Sequence, residues 1–118
     1  MRGVRPLVLI VDDDAHIARG LCTNLAFEGF AVRVANNRDG AMAIARDDAP
    51  DIVLLDVSKK PGCEMLRELR EHHFDTRVIF LSTNPQHRDT DCASSADDFI
   101  AKPFALNDLL ERVRFLAA

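Results

Sequence analysis

The stretch LVLIVDDDAHIARGLCTNLAFEGFAVRVA, residues 7–35, contains a complete strand–helix–strand unit. Its first five residues, LVLIV, are all apolar, which is typical of a strand that is covered on both faces of a sheet. Ile17, Leu21 and Leu25 then recur at helical spacing, and Gly29 ends the helix. The last five residues, AVRVA, alternate as a half-exposed edge strand does. The stretch therefore predicts two parallel strands that are joined by a helix.

The alternation of strand and helix continues to the end of the chain. Three more apolar runs predict strands: DIVLL (51–55), RVIFL (77–81) and DFIA (98–101). Three more segments have helical spacing: RDGAMAIARDD (38–48), EMLRELREHH (64–73) and LNDLLERVRFL (106–116). NPQHRDTDCASSA (84–96) lacks an apolar stripe, so we expect a short or irregular helix there. The pattern is that of an α/β doubly wound fold with right-handed crossovers.

Length, charge and cysteine content exclude several classes of protein. The 118 residues suit one domain, 1–118, and their net charge of -4 without a basic stripe argues against nucleic-acid binding by this domain itself. No apolar run reaches the roughly 20 residues of a membrane span, and the start is not a secretory signal. We therefore expect a cytoplasmic protein without membrane contact. The three cysteines, Cys22, Cys63 and Cys92, lack paired zinc spacing and are expected to be reduced thiols.

Charged and hydroxyl side chains collect where the predicted strands end. They are Asp12 and Asp13 after the first strand, Asp56 at the third, Ser82 at the fourth and Lys102 after the fifth. In a doubly wound sheet these ends meet in one crevice. Adjacent ionised carboxylates repel one another, so the cluster requires a positive partner. Carboxylates without thiol or imidazole ligands suit Mg²⁺, with Mn²⁺ as an alternative, and such a metal facing one lysine could hold a phosphoryl group.

Four motifs, VDDD (11–14), IVLLD (52–56), IFLST (79–83) and ADDFIAKPF (96–104), resemble in this order the receiver domain of bacterial two-component response regulators. The resemblance covers essentially the whole chain. It implies a flavodoxin-like sheet of five parallel strands in the order 2-1-3-4-5, with about five helices. It also implies that a sensor histidine kinase donates a phosphoryl group to Asp56 and thereby changes the affinity for a partner or a second copy. Such a domain catalyses only its own phosphorylation and dephosphorylation, so a turnover enzyme is not expected.

The same resemblance assigns roles to the residues at the strand ends. Asp12 and Asp13 would hold Mg²⁺ together with Asp56. The backbone carbonyl of Ser58 would complete the metal ligands that the protein supplies. Ser82 would sense the phosphoryl oxygen and act as a switch residue.

Further roles follow from the resemblance around the fifth strand. Lys102 would pair with the phosphoryl group, and the bond between Lys102 and Pro103 would be cis, a form of modest cost only before proline. Phe99 stands where the family has an aromatic switch residue, whose rotamer reports phosphorylation to the face of the fourth helix, fifth strand and fifth helix. ADDFIAKPFALNDLLERVR (96–114) particularly resembles the winged-helix DNA-binding class of response regulators. A homodimer through that face would use ion pairs between subunits, formed by Asp97, Asp98, Arg112 and Arg114. The alternative is that these four residues are solvated surface charges.

The loop after Asp56 departs from the family pattern. The chain has DVSKKPGCEML (56–66), where the family has a Met-Pro pair followed by Asp-Gly, and the loop is shorter. The resemblance implies that the affinity for Mg²⁺ depends on this loop, because the loop supplies the backbone carbonyl of Ser58. Lys59 and Lys60 add positive charge that could attract phosphate or partly replace the metal, whereas two solvated lysines are the simpler interpretation.

Other conspicuous residues have plainer interpretations. Asp14 is expected to cap the first helix, because its carboxylate can accept from the exposed backbone N–H groups. Cys63 lies near the site and is interpreted as an inert thiol, with redox sensitivity as the alternative. No metal role is expected for the four histidines, His16, His72, His73 and His87.

Other functions remain as alternatives to the phosphoacceptor module. A pseudo-receiver would be an interaction domain that does not depend on phosphorylation, and the chain could also be the receiver part of a longer transcription regulator. A haloacid-dehalogenase-like phosphatase would need a second aspartate two residues after Asp56, where Ser58 stands. A nucleotide- or flavin-binding domain would need a glycine-rich turn, which DDDAHIARG (12–20) does not contain.

Overall fold

The computed structural model describes residues 5–58, 63–72, 75–84, 86 and 95–118, which contain five strands and four helices. We number the helices of these residues consecutively. In chain order the elements are β1 (Leu7–Val11), α1 (Ala15–Phe27), β2 (Ala31–Ala35), α2 (Arg38–Asp48), β3 (Ile52–Asp56), α3 (Cys63–His72), β4 (Arg77–Ser82), β5 (Asp98–Ala101) and α4 (Leu106–Ala117).

The strands form one parallel sheet in the order β2-β1-β3-β4-β5. This confirms the predicted α/β doubly wound fold and its strand order. Of the segment 84–96, only residues 84, 86, 95 and 96 are described, so the irregular helix predicted there lies outside the described residues.

The ends of α1 follow from local chemistry. The side chain of Asp14 accepts hydrogen bonds from the backbone N–H groups of His16 and Ile17, at 3.0 and 3.2 Å, which confirms the predicted cap. Gly29 follows the helix with φ +99°, a left-handed conformation that glycine adopts without steric cost. The helix therefore stops where β2 must begin.

Two apolar layers cover the two faces of the sheet. On one face, buried residues of β1, β3 and β4 such as Leu9, Val53 and Phe80 pack against α2 and α3. On the other face, their neighbours such as Ile10 and Leu54 pack against α1 and α4. The central strands are buried on both sides for this reason. β2 lies at the edge of the sheet, as predicted, but its exposure does not alternate, since the adjacent residues Arg33 and Val34 are both exposed.

The helices in the described part of the chain are 10 to 13 residues long. Among these residues, no helix has the length and apolar character needed to cross a lipid bilayer.

Candidate functional site

The carboxyl edge of the sheet brings together the side chains that the sequence singles out. Backbone hydrogen bonds continue past the strand ends. The N–H of Asp12 donates to the carbonyl of Ala35 at 3.2 Å. The N–H groups of Val57 and Lys102 donate to the carbonyls of Leu81 and Ser82, each at 2.8 Å. These bonds fix the residues that follow β1, β3 and β5 relative to their neighbours. The side chains of the edge are therefore held by the sheet as well as by their own loops.

Three carboxylates form one cluster at this edge. One carboxylate oxygen from each of Asp12, Asp13 and Asp56 lies within 4.8 Å of the others. Asp12 is buried, Asp56 is partly buried and Asp13 is exposed. An all-carboxylate set with one face open to solvent suits a hard, partly hydrated cation such as Mg²⁺. The three residues thus fit the predicted metal, while the carbonyl of Ser58 stays a predicted ligand.

Lys102 supplies positive charge within the cluster. Its Nζ atom lies 2.8 Å from Asp12 Oδ2 and 3.3 Å from Asp56 Oδ2, and its side chain is only 7% exposed. The peptide bond between Lys102 and Pro103 is cis. One ammonium in a cluster of three carboxylates leaves an excess of negative charge, which a divalent cation would balance.

The pKa values of the two carboxylates that contact Lys102 are shifted in opposite directions. Burial raises the pKa of Asp12, despite hydrogen bonds from Lys102 and from the backbone N–H of Asp14. Burial also acts to raise the pKa of Asp56, but hydrogen bonds from Ser58 and the charge of Lys102 outweigh it and hold that pKa below its ordinary value. Asp56 is therefore ionised at neutral pH.

The Ser58 side chain is a feature that the sequence analysis missed, because only its backbone carbonyl was considered. Its Oγ donates to Asp56 Oδ1 at 2.6 Å and accepts from the backbone N–H of Thr83 at 3.0 Å. The backbone N–H of Ser58 donates to the same Asp56 oxygen at 2.9 Å. The aspartate itself is the sequence signal for such a turn, because an Asp side chain commonly accepts from the backbone N–H two residues on.

The two residues that were assigned as a switch lie in neighbouring strands. Ser82 is completely buried at the end of β4, and its Oγ accepts a hydrogen bond of 2.9 Å from the backbone N–H of Asn84. Phe99 of β5 is 8% exposed and packs in the apolar layer shared with α2 and α3. The aromatic ring therefore lies inward.

The charged residues of the predicted dimer face pair within the chain. Asp98 contacts Arg112 at 2.7 Å, and Arg112 also contacts Asp108. Arg114 contacts Glu28, and Asp97 contacts Arg70 at 3.0 Å and Arg77 at 3.6 Å. The hydrogen bonds that Arg112 donates to Asp108 and Asp98 raise the pKa of Arg112. The dimer face itself stays a prediction.

A few sequence predictions concern residues or side chains that the structure does not describe. They are those on Lys59, Lys60, the side chain of Cys63, His73, His87 and Cys92. Cys22 is described and is a free, partly buried thiol. It lines a cleft of about 370 Å³ between α1 and β2, which reaches Asp12 and Asp13.

Comparisons with known proteins agree with this geometry. The family model of the response regulator receiver domain matches residues 8–114. The response regulator MprA of Mycolicibacterium vanbaalenii is 35% identical over 113 residues, which cover 92% of this chain and 49% of that protein. The chain thus spans about half the length of the curated relatives it matches.

Solved structures give the same assignment. The response regulator TrrA of Thermotoga maritima, in complex with Mg²⁺-BeF, is 29% identical with a TM-score of 0.85 over 94% of this chain and 98% of that chain. A chain of the complex between the histidine kinase ThkA and TrrA is 28% identical with a TM-score of 0.84, over 96% and 99% of the two chains. With the family match over most of its length, the chain belongs to the response regulator receiver domains.

Proposed function

We propose that this receiver domain accepts a phosphoryl group on Asp56 from a sensor histidine kinase, with Mg²⁺ held by Asp12, Asp13 and Asp56. The observation that carries the proposal is the position of Lys102, whose ammonium contacts two of the three carboxylates of the cluster. A phosphoryl group on Asp56 would be stabilised by this ammonium and by the metal charge.

Asp56 has the charge state that a nucleophile needs. Its pKa is held below the ordinary value, so a carboxylate oxygen is available at neutral pH to attack phosphorus. Lys102 would pass from the carboxylates to a phosphoryl oxygen and stabilise the charge that develops there. Bound Mg²⁺ would supply further neutralisation of the phosphoryl oxygens. The catalysis proposed is limited to phosphorylation and dephosphorylation of the domain itself.

Ser82 and Phe99 are the proposed switch residues. The Ser82 hydroxyl supports the loop after β4 through the N–H of Asn84, so its movement towards a phosphoryl oxygen would remove that support. Phe99 pairs with Phe80 of β4 in the sheet, and Phe80 lies two residues before Ser82 along that strand. We infer that the change at Ser82 reaches the surface around β5 and α4 through this loop and Phe99.

The proposed partners are a histidine kinase and a second copy of the domain. The solved complex between ThkA and TrrA supports the kinase, because this chain is similar to TrrA over most of its length. For the homodimer, Asp97, Asp98, Arg112 and Arg114 would exchange their intrachain ion pairs for pairs between subunits. We place the domain in the cytoplasm, where such a kinase would phosphorylate it.

Phosphorylation by a small donor tests this function directly. The chain would be incubated with Mg²⁺ and acetyl phosphate, and intact mass spectrometry would detect one added phosphoryl group. The variant Asp56→Asn removes the acceptor and should show no gain. Absence of any gain in the wild type, together with no Mg²⁺ binding at millimolar concentration, would instead support a pseudo-receiver that acts without phosphorylation.

A further inference from the structure

The Ser58 hydroxyl connects the two loops on either side of the proposed phosphoacceptor. It donates to Asp56 Oδ1 at 2.6 Å and accepts from the N–H of Thr83 at 3.0 Å. Asp56 lies at the end of β3, whereas Thr83 follows β4. The hydroxyl oxygen therefore lies between a carboxylate oxygen and a backbone donor of the neighbouring strand.

A phosphoryl group attached to Asp56 at Oδ1 would require this same position. Two oxygen atoms that are bound to one phosphorus atom are separated by nearly the distance between Ser58 Oγ and Asp56 Oδ1. A backbone N–H aimed at such an oxygen is a donor of the kind that stabilises a transferred phosphoryl group. The N–H of Thr83 is already bonded to Ser58 Oγ. The hydroxyl would thus occupy the place of an oxygen of a phosphoryl group attached at Oδ1, and it uses the donor that such an oxygen would need.

We propose that the Ser58 side chain is a self-blocking group, which must rotate away before Asp56 can accept a phosphoryl group. The inference rests on the proposed function, because it concerns the rate at which Asp56 reacts. Ser58 is only partly buried, so its hydroxyl can turn towards solvent. The N–H of Thr83 then becomes available to an incoming phosphoryl oxygen.

The reaction that Ser58 delays is a simple displacement. The Asp56 carboxylate attacks the phosphorus atom of an acyl phosphate or a phosphohistidine. The bond from phosphorus to the donor's oxygen or nitrogen breaks, and its electron pair leaves with the donor. Ser58 gives up its hydrogen bond to Asp56 before this step and takes no part in the bonds that form or break.

The rate of phosphorylation separates a blocking role from a supporting one. With acetyl phosphate and Mg²⁺, Ser58→Ala should gain the phosphoryl group roughly tenfold faster than the wild type, the order expected for release of one hydrogen bond to a charged group. Ser58→Thr keeps a hydroxyl and should react at the wild-type rate or more slowly. Ser95→Ala, an exposed serine at the opposite end of the sheet, is the matched control and should leave the rate unchanged.

A second measurement needs no phosphoryl donor. Amide hydrogen exchange by NMR should be faster at Thr83 in Ser58→Ala than in the wild type, and Ser58→Thr should restore the protection. An equal or lower rate of phosphorylation in Ser58→Ala would overturn the blocking role while leaving the proposed function intact. If neither the wild type nor Ser58→Ala gains a phosphoryl group, the proposed function fails and the blocking role fails with it. If Ser58→Ala gains a phosphoryl group and the wild type does not, both the proposed function and the blocking role are supported.

Discussion

Replacement of Lys102 by methionine would show how the acidic cluster is held together. The Lys102 ammonium contacts Asp12 and Asp56, whose side chains are 0% and 10% exposed. Removal of one partner from a buried ion pair costs about 3–5 kcal/mol, because a buried charge is left uncompensated. Since Asp56 retains some contact with water, we expect Lys102→Met to lower the free energy of unfolding by about 3 kcal/mol at neutral pH in metal-free buffer.

Urea unfolding followed by circular dichroism in EDTA would measure this loss. Arg33→Met is a suitable control, because it breaks the ion pair between Arg33 and Asp48, whose side chains are 53% and 33% exposed. An exposed pair contributes less than about 1 kcal/mol, so the two variants should differ clearly. Added Mg²⁺ should stabilise Lys102→Met more than the wild type, because a bound cation replaces the missing charge. A loss in Lys102→Met no larger than that in Arg33→Met would refute the view that Lys102 compensates the carboxylates.

Three further predictions concern single residues. Asp13→Asn should weaken Mg²⁺ binding at least tenfold in a thermal-shift titration, while changing the stability in EDTA by less than about 1 kcal/mol, because Asp13 is exposed; an unchanged titration would exclude it as a ligand. The pKa of Asp56 is lowered in the folded state from 3.8, so its ionised form adds stability above that pH, and this is lost as the pH falls through the folded pKa. The difference in unfolding free energy between the wild type and Asp56→Asn in EDTA should therefore shrink on acidification below about pH 4, and a constant difference would contradict the shift. Asp14→Ala should cost about 1 kcal/mol in urea unfolding through loss of the α1 cap, and no loss would show that the cap is dispensable.

The strands could be predicted because burial and hydrophobicity coincide in them. β1, β3 and β4 are covered on both faces, so each appears in the sequence as a continuous apolar run. The polar last residues of two strands, Asp56 of β3 and Ser82 of β4, lie beyond the apolar runs, and the structure confirms the prediction that these strands end there. Their pairing with Leu81 and Ala101 makes them strand residues, and that pairing depends on backbone hydrogen bonds rather than on apolar character.

The convergence of the site could also be predicted, but the partners of its side chains could not. Parallel topology alone brings Asp12, Asp56 and Lys102 to one edge. The contact of Ser58 Oγ with Thr83 depends on loop geometry and a side-chain rotamer, which no residue pattern encodes. The ion pair between Asp97 and Arg70 joins residues far apart in the chain, and the sequence gives no means of choosing between such a pair and one across a dimer.

The opposite pKa shifts of Asp12 and Asp56 give the two carboxylates different tasks. Both contact the same ammonium, so their difference must come from their other neighbours. Ser58 donates two hydrogen bonds to Asp56, which keep it ionised, whereas burial dominates at Asp12. The two bonds from Ser58 also occupy lone pairs of Oδ1, one of the two oxygens with which Asp56 could attack phosphorus. Ser58 therefore both keeps Asp56 ionised and hinders its attack on phosphorus. Its hydroxyl can rotate away from Asp56 while the hydrogen bond from its backbone N–H remains.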